Sequence, residues 1–388
     1  MSAMSVGELF AGYGGISLAL EALTLTRTAW VAETAAGPRK VLAHRFPDAS
    51  NLGDVTCVDW GSVEPVDVIA GGSPCQDLSV AGQRAGMMPG TRSGLWEAMT
   101  HAIATIRPSL VVWENVRGAL SASAFSLMES DPGRVGGGAD GPSLRALGRV
   151  LGDLSNLGYD AQWITLPASD AGAPHRRERV FVLAHRQGAP ADAARLISER
   201  IGEARDGRPG PADGGGQPVS LLPTPAVNDM GAAYTPETWD AWTAKMRARH
   251  GNGNGHGKSL NIEAQRMLPT PSVADATGGH ARRGGDRSAE FLLPGAVRPE
   301  NFGPYAAAVQ RWEAVTGTTA PSPTEPGKNG NLRLSAAFAE WMMGLPAGWI
   351  TDVPDVSRRE AVTMCGNGVV PQQAALALST LAGWAVAA

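Results

Sequence analysis

Cysteine is scarce: Cys57, Cys75 and Cys365 are the only three in 388 residues. Thiols so few and so scattered exclude a disulfide framework and a Cys-rich metal site, and they fit a reducing compartment. An excess of positive charge is lacking too. The formal net charge is -4, so any surface for nucleic acid must be a local patch compensated elsewhere. No run approaches the ~18 apolar residues that a membrane span needs, and Met1–Glu8 lacks the basic-then-apolar pattern of a signal peptide. A soluble, cytoplasmic, metal-free protein is the expectation. A solenoid is excluded as well. The string Leu222–Asp229 recurs only once, as Leu268–Asp275, and two copies are too few; they read as equivalent turns of one small domain or as compositional drift. What is abundant is Ala, Gly, Pro and Arg, a bias of the coding genome, in a chain long enough for one large core or two domains.

Val6–Phe10 reads as a short buried strand, followed by Ala11-Gly12-Tyr13-Gly14-Gly15 and a helix with Ile16, Leu20 and Leu23 on one face. Strand, Gly-rich turn and helix open a nucleotide-binding βαβ unit, the glycines letting backbone approach a ligand at the helix N-terminus. A second strand, Thr28–Ala32, ends at Glu33, where such folds place the carboxylate that binds ribose hydroxyls. An ordinary tight βα turn is the other reading. Asp54 follows in a turn. The strand Val66–Ala70 then runs into Gly71-Gly72-Ser73-Pro74-Cys75-Gln76. A thiol on a rigid turn after a buried strand is a place for a nucleophile, although a small buried Cys is the commoner case. Asp77–Gly94, polar and Gly-rich, is too long for a tight connection and suits a functional lid or disorder.

Trp96–Ile106 reads as a helix. Leu110–Trp113 is an apolar strand that delivers Glu114 to the ligand crevice, where partial desolvation would favour a protonated or hydrogen-bonded carboxyl; an N-cap or surface role is the alternative. A helix over Leu144–Leu157 and strands over Tyr159–Leu166 and Val180–Ala184 follow. Between these strands lies Pro174-His175-Arg176-Arg177-Glu178-Arg179, which suits phosphate or base contacts or a solvated face. From about Gln187 the texture becomes rich in Gly, Pro and Arg, with basic clusters at Lys245–His250 and His280–Arg287. Leu332–Met343 reads as a helix, and Asn367 sits in a turn between two glycines before an apolar helix over Ala374–Val386.

Taken in order, these strings resemble the cytosine-C5 DNA methyltransferases. The similarity rests on Phe10–Gly15, Glu33, Gly53-Asp54-Val55, Gly72–Gln76 with Ser79–Gly82, Arg92–Leu95, Glu114-Asn115-Val116, Arg177-Glu178-Arg179, Gly344-Leu345-Pro346 and Gly366-Asn367. It implies an α/β, Rossmann-like S-adenosylmethionine-dependent domain with a mostly parallel twisted sheet and helices on both faces. A smaller, irregular target-recognition domain accompanies it. The implied division is 1–186 for the main catalytic part, 187–350 for target recognition and 351–388 for a segment returning to the catalytic domain.

The resemblance also implies roles. Cys75 would add to C6 of a flipped-out cytosine, Glu114 would hold or protonate N3, Arg179 would grip O2, and Arg177 would meet backbone phosphate. Phe10, Gly12, Gly14, Glu33, Asp54, Val55, Pro74, Leu95 and Asn367 would hold S-adenosylmethionine, and Gln76, Ser79 and Arg84 would contact DNA. The implied protein is a monomer acting on double-stranded DNA, of bacterial or phage origin, alone or beside a cognate restriction endonuclease. Two positions depart from the family pattern: His175 stands where Gln is common, and Thr34 where a large apolar residue often covers the adenine. An RNA-directed member, a catalytically weak DNA-binding relative and a nicotinamide-linked enzyme are the rival readings. Tetrapeptide Ser73-Pro74-Cys75-Gln76 and the lack of any Cys between Cys75 and Cys365 favour DNA.

Overall fold

The computed structural model describes residues 3–23, 26–73, 95–120, 123–124, 144–188, 236–250, 271, 302, 305–327 and 332–387. The apolar runs form one seven-stranded sheet: β1 (Met4–Leu9), β2 (Thr26–Ala32), β3 (Ser50–Asn51), β4 (Val68–Gly71), β5 (Leu110–Val116), β6 (Tyr159–Pro167) and β7 (Glu178–Arg186). Their spatial order is β3-β2-β1-β4-β5-β7-β6. Neighbours among β1–β5 are parallel, whereas β7 runs antiparallel to both β5 and β6. The chain steps outward from β1 to β3 and then returns to place β4 on the other side of β1. That reversal opens a crevice beyond the carboxyl ends of β1 and β4, the usual ligand position in such sheets.

The helices α1 (Gly15–Leu23), α2 (Ala36–Arg45), α3 (Trp96–Ile106), α4 (Ala146–Asn156), α5 (Pro236–His250), α6 (Ala306–Thr316), α7 (Ala336–Met342), α8 (Arg358–Asn367) and α9 (Pro371–Ala387) complete the described framework. Alternation along the strands gives each sheet face its own core. Ile69, Val111, Trp113, Val180 and Val182 pack with Trp96, Met99 and Ile103 of α3 and Val150 and Leu154 of α4. On the other face Val68, Ala70, Leu110, Val112, Phe181 and Leu183 pack with Ile16 and Leu20 of α1 and Ala374, Leu378 and Leu381 of α9. A third cluster joins Tyr13, Val41 and Ala168 to Trp312, Phe338, Met342, Ile350 and Val362. Residues 309–350 therefore share a core with the Gly-rich turn. Glu340 organises it: its buried carboxylate accepts from the backbone N–H of Gly348, Ile350 and Thr351 at 2.6, 2.7 and 2.8 Å.

Several elements differ from the sequence expectation. Leu332–Leu334 pairs with Thr324–Pro326 as a small antiparallel ladder, and α7 starts only after Ser335, whose hydroxyl caps it by accepting from Phe338 N. Leu144–Arg145 likewise pairs with Ser123–Ala124, so α4 begins at Ala146. Strand β4 starts at Val68 because the Asp67 carboxylate turns outward to accept from Ser5 N and Oγ. Asn367 closes α8 and does not stand in a free turn, and α9 begins at Pro371, an N-terminal position that suits Pro. The Leu222 and Leu268 strings (Pro271 apart) and the His280–Arg287 cluster lie outside the described residues.

Candidate active site

Strand register puts the site together. Ala32, Leu9, Gly71, Trp113 and Val182 are successive partners across the sheet. The next residues on the four parallel strands are Glu33, Phe10, Gly72 and Glu114, so one carboxylate, the Gly-rich turn, the residues leading to Cys75 and a second carboxylate share one edge.

The Gly-rich turn is fixed from several sides. Phe10 adopts φ 56° as its N–H donates to Ala32 O at 2.9 Å. Gly12 (φ +57°) has open space where a Cβ would stand, and its N–H donates to Glu33 Oε2 at 3.0 Å. Ala35 N donates to Glu33 Oε1 at 2.8 Å. Gly14 (φ +82°) lies under Phe46, whose ring a Cβ would meet at 2.5 Å. Asn51 links this corner to the next one, accepting from Glu33 N at 3.1 Å and Gly53 N at 3.0 Å. Exposed Asp54 turns its carboxylate back to Thr56 N and Oγ1, which lowers its pKa. Val55, Phe10 and Leu95 belong to one apolar cluster. Thr34 is exposed.

Below the turn lies a residue with no signal in the sequence reading. Glu8, 2% exposed, accepts from Ser17 N at 2.9 Å and Ile16 N at 3.3 Å at the start of α1. Burial pushes its pKa up to about 7, against the lowering effect of those bonds. Only its position one strand residue from the Gly turn could have pointed to it.

Glu114 lies inside β5, not beyond its end, with its side chain on the α1–α9 face. It is 7% exposed, and Arg179 Nε meets its Oε1 at 3.0 Å. Burial raises its pKa, while Arg179 and then Arg177 oppose the shift. Gly72 must be small here, because a Cβ would sit 2.8 Å from Glu114 Oε2. The thiol turn itself, Pro74-Cys75-Gln76, and Ser79 and Arg84 with the rest of Asp77–Gly94, lie outside the described residues.

Arg177 corrects the expectation of a phosphate contact. It is 5% exposed, with φ 30°, and its Nη2 donates to Gly366 O at 3.1 Å and Gly368 O at 2.5 Å. Tyr13 Oη donates to Val369 O at 2.7 Å, and Gln373 Nε2 to Leu166 O and Arg177 O at 2.7 and 2.8 Å. This seam brings Asn367, exposed at the end of α8, beside the Gly-rich turn. His175, fully buried, bonds Met342 O through Nε2 at 3.0 Å, and burial drives its pKa down to about 3, so the ring is neutral. Cys365 is buried and its thiol pKa is pushed far up by burial, whereas Cys57 is exposed. Among the described residues no cluster of His, Cys, Asp or Glu could hold a metal ion.

A doubly faced α/β sheet with a Gly-rich turn, an adjoining carboxylate and a buried Glu–Arg pair at one edge has the form of an open α/β ligand-binding scaffold. The sequence comparison carries this to a family. Residues 4–379 match the model for C-5 cytosine-specific DNA methylase, and the chain belongs to that family. It is 33% identical over 184 residues to Type II methyltransferase M.Eco47II of Escherichia coli, covering 47% of this chain and 39% of that protein. To Type II methyltransferase M.CviJI of Paramecium bursaria Chlorella virus IL3A it is 32% identical over 181 residues, 46% of this chain and 42% of that one. A DNA N-6-adenine-methyltransferase of Escherichia phage P1 is 31% identical over 243 residues, 53% of this chain and 31% of that protein. The chain thus spans less than half the length of these curated relatives. The crystal structure of S. pombe Dnmt2 methyltransferase shares the fold, with TM-score 0.50 and 13% identity over 97% of this chain and 98% of that one.

Proposed function

We propose that the protein is a DNA (cytosine-5-)-methyltransferase using S-adenosylmethionine. The observation that carries the reading is the buried Glu114–Arg179 pair against Gly72, three residues before Cys75 in the chain. C5 of cytosine is a weak nucleophile. Addition of the Cys75 thiolate to C6 makes an enamine nucleophilic at C5, and a carboxyl with a raised pKa at N3 prevents negative charge from building on the ring. Arg179 orients Glu114 and meets O2. Loss of the C5 proton and elimination of Cys75 then restore the aromatic ring. A duplex hides these atoms, so the base must leave the stack.

The cofactor supplies an electrophilic sulfonium methyl. The chain's residues fit its nucleoside end: each Glu33 oxygen accepts one backbone N–H and keeps a lone pair for a ribose hydroxyl. Gly12 leaves its side of the turn bare, and Phe10, Val55 and Leu95 supply apolar surface for adenine. Gly14, Asp54, Pro74 and Asn367 complete the assigned set. Gln76, Ser79 and Arg84 contact DNA in this reading, target recognition belongs to 187–350, and the protein acts as a cytoplasmic monomer in a bacterial or phage setting, alone or with a cognate endonuclease.

The test is transfer of labelled methyl to duplex DNA, followed by nucleoside mass spectrometry, with tRNA as a parallel substrate. The expected product is 5-methylcytosine in DNA, abolished in Cys75→Ala with cofactor binding retained. N6-methyladenine, or 5-methylcytosine in RNA alone, refutes the assignment.

A further inference from the structure

The stem of the thiol turn is held by a side chain that the chemistry above leaves unused. Trp113 and Asn115 alternate with Glu114 along β5 and therefore face the opposite side of the sheet, toward α3 and α4. Trp113 is fully buried, and its Nε1–H donates to Ser73 Oγ at 3.1 Å. Asn115 Nδ2 donates to Ser73 O at 3.1 Å and to Ser73 Oγ at 3.3 Å. Ser73 is itself 3% exposed. The indole brings one polar atom into this apolar core, and a buried indole N–H needs a partner. Here that partner is the residue two positions before Cys75.

The same ring also holds the far end of the loop. Trp96, the second described residue after position 94, packs its ring edge-on to Trp113, centroids 6.0 Å apart at 70°. Trp96 Nε1 is fastened in turn to Asp153 Oδ2 at 2.8 Å, and Asp153 to Arg149 Nε at 3.3 Å. Both stems of residues 74–94 are thus seated on one side chain of β5.

We infer that Trp113 is a positioning residue for the nucleophile, setting the stem of the Cys75 turn through its bond to Ser73. The inference rests on the methyl-transfer reading and deepens it. Glu114 and the Ser73 stem then share one rigid strand, the carboxyl on one face and the anchor on the other.

The experiment is steady-state and single-turnover methyl transfer by Trp113→Phe, Ser73→Ala and the double variant. Trp113→Phe keeps an aromatic ring at this position and removes the N–H donor together with part of the ring, so a thermal melt accompanies the kinetics. Ser73→Ala attacks the same bond from its small side and covers the case in which the ring change fails to fold. Each single variant is expected to lower kcat about 3- to 10-fold, the scale of one neutral hydrogen bond, with the cofactor KM unchanged. The double variant is expected to be no slower than the slower single, since Ser73→Ala already removes the acceptor of the bond that Trp113→Phe breaks, along with that of the Asn115 contact. Wild-type kcat in both singles overturns the inference, as do multiplying losses or a loss confined to the cofactor KM. An unaltered chain that methylates no cytosine overturns the activity itself and this inference with it.

Discussion

Glu8 makes the fold itself sensitive to pH, and Glu8→Gln isolates the effect. In the unfolded chain this carboxyl titrates near 4.5, and in the fold it titrates at about 7. A folded pKa raised above the unfolded one means that the native state favours the protonated form. The contribution is therefore full below pH 4.5 and is lost as pH rises through 7. At ~1.4 kcal/mol per tenfold in proton affinity, the interval corresponds to about 3 kcal/mol. The group is 2% exposed, so solvent screening does not reduce it. Gln cannot ionise, and its amide costs one of the bonds from Ile16 N and Ser17 N at every pH. That cost cancels when the difference between the two proteins is followed across pH. Urea unfolding at pH 5, 6, 7 and 8 is the assay. The stability of Glu8→Gln relative to the unaltered protein should rise by about 2.5 kcal/mol between pH 5 and 8, most of the full effect. A difference that stays flat refutes the argument and requires Glu8 to ionise in the native state as it does in water.

Other consequences are as direct. Gly72→Ala should lower kcat well before it lowers stability, because its methyl would press on Glu114 Oε2; kinetics alongside a thermal melt separate the two. Arg179→Met leaves the buried Glu114 carboxylate without its ion partner and should cost about 3–5 kcal/mol above neutral pH, less in acid where Glu114 protonates, as read by urea unfolding at two pH values. Alkylation of the native protein followed by peptide mapping should label exposed Cys57 and spare Cys365 until denaturant is added.

The central strands were legible because strands buried on both faces read as unbroken apolar runs, as in Leu110–Trp113 and Val180–Ala184. Trp96–Ile106 matched its helix residue for residue, bounded by Arg107 in the left-handed region. The positions of Glu33 and Glu114 were legible for a related reason: a carboxylate after an apolar run has few places to go but the sheet edge, although Glu114 still lies within β5. Arg177 was not. Three arginines within four residues look solvent-facing, and only the return of α8 and α9 supplies the Gly366 and Gly368 carbonyls that bury one of them. Trp113 was read as one more apolar strand residue, since the partner that gives it a role is 40 positions away. The ladder at Leu332–Leu334 was hidden by its length, three residues whose pairing is decided by Thr324–Pro326.

The seam between the Gly-rich turn and the last two helices carries a temporal consequence. Tyr13 and Val369 are 356 positions apart, and Arg177 reaches 191 positions forward to Gly368. On a ribosome, residues 1–186 emerge long before the segment that locks their Gly-rich turn. Contacts of such long range are made late in folding, after loop closure has been paid for. A nascent or prematurely ended chain can carry every residue of the glycine turn and still lack its lock. On the proposed methyl-transfer reading, activity would arrive only after Val369 has emerged, and a stop codon before Val369 should be as silencing as loss of the thiol.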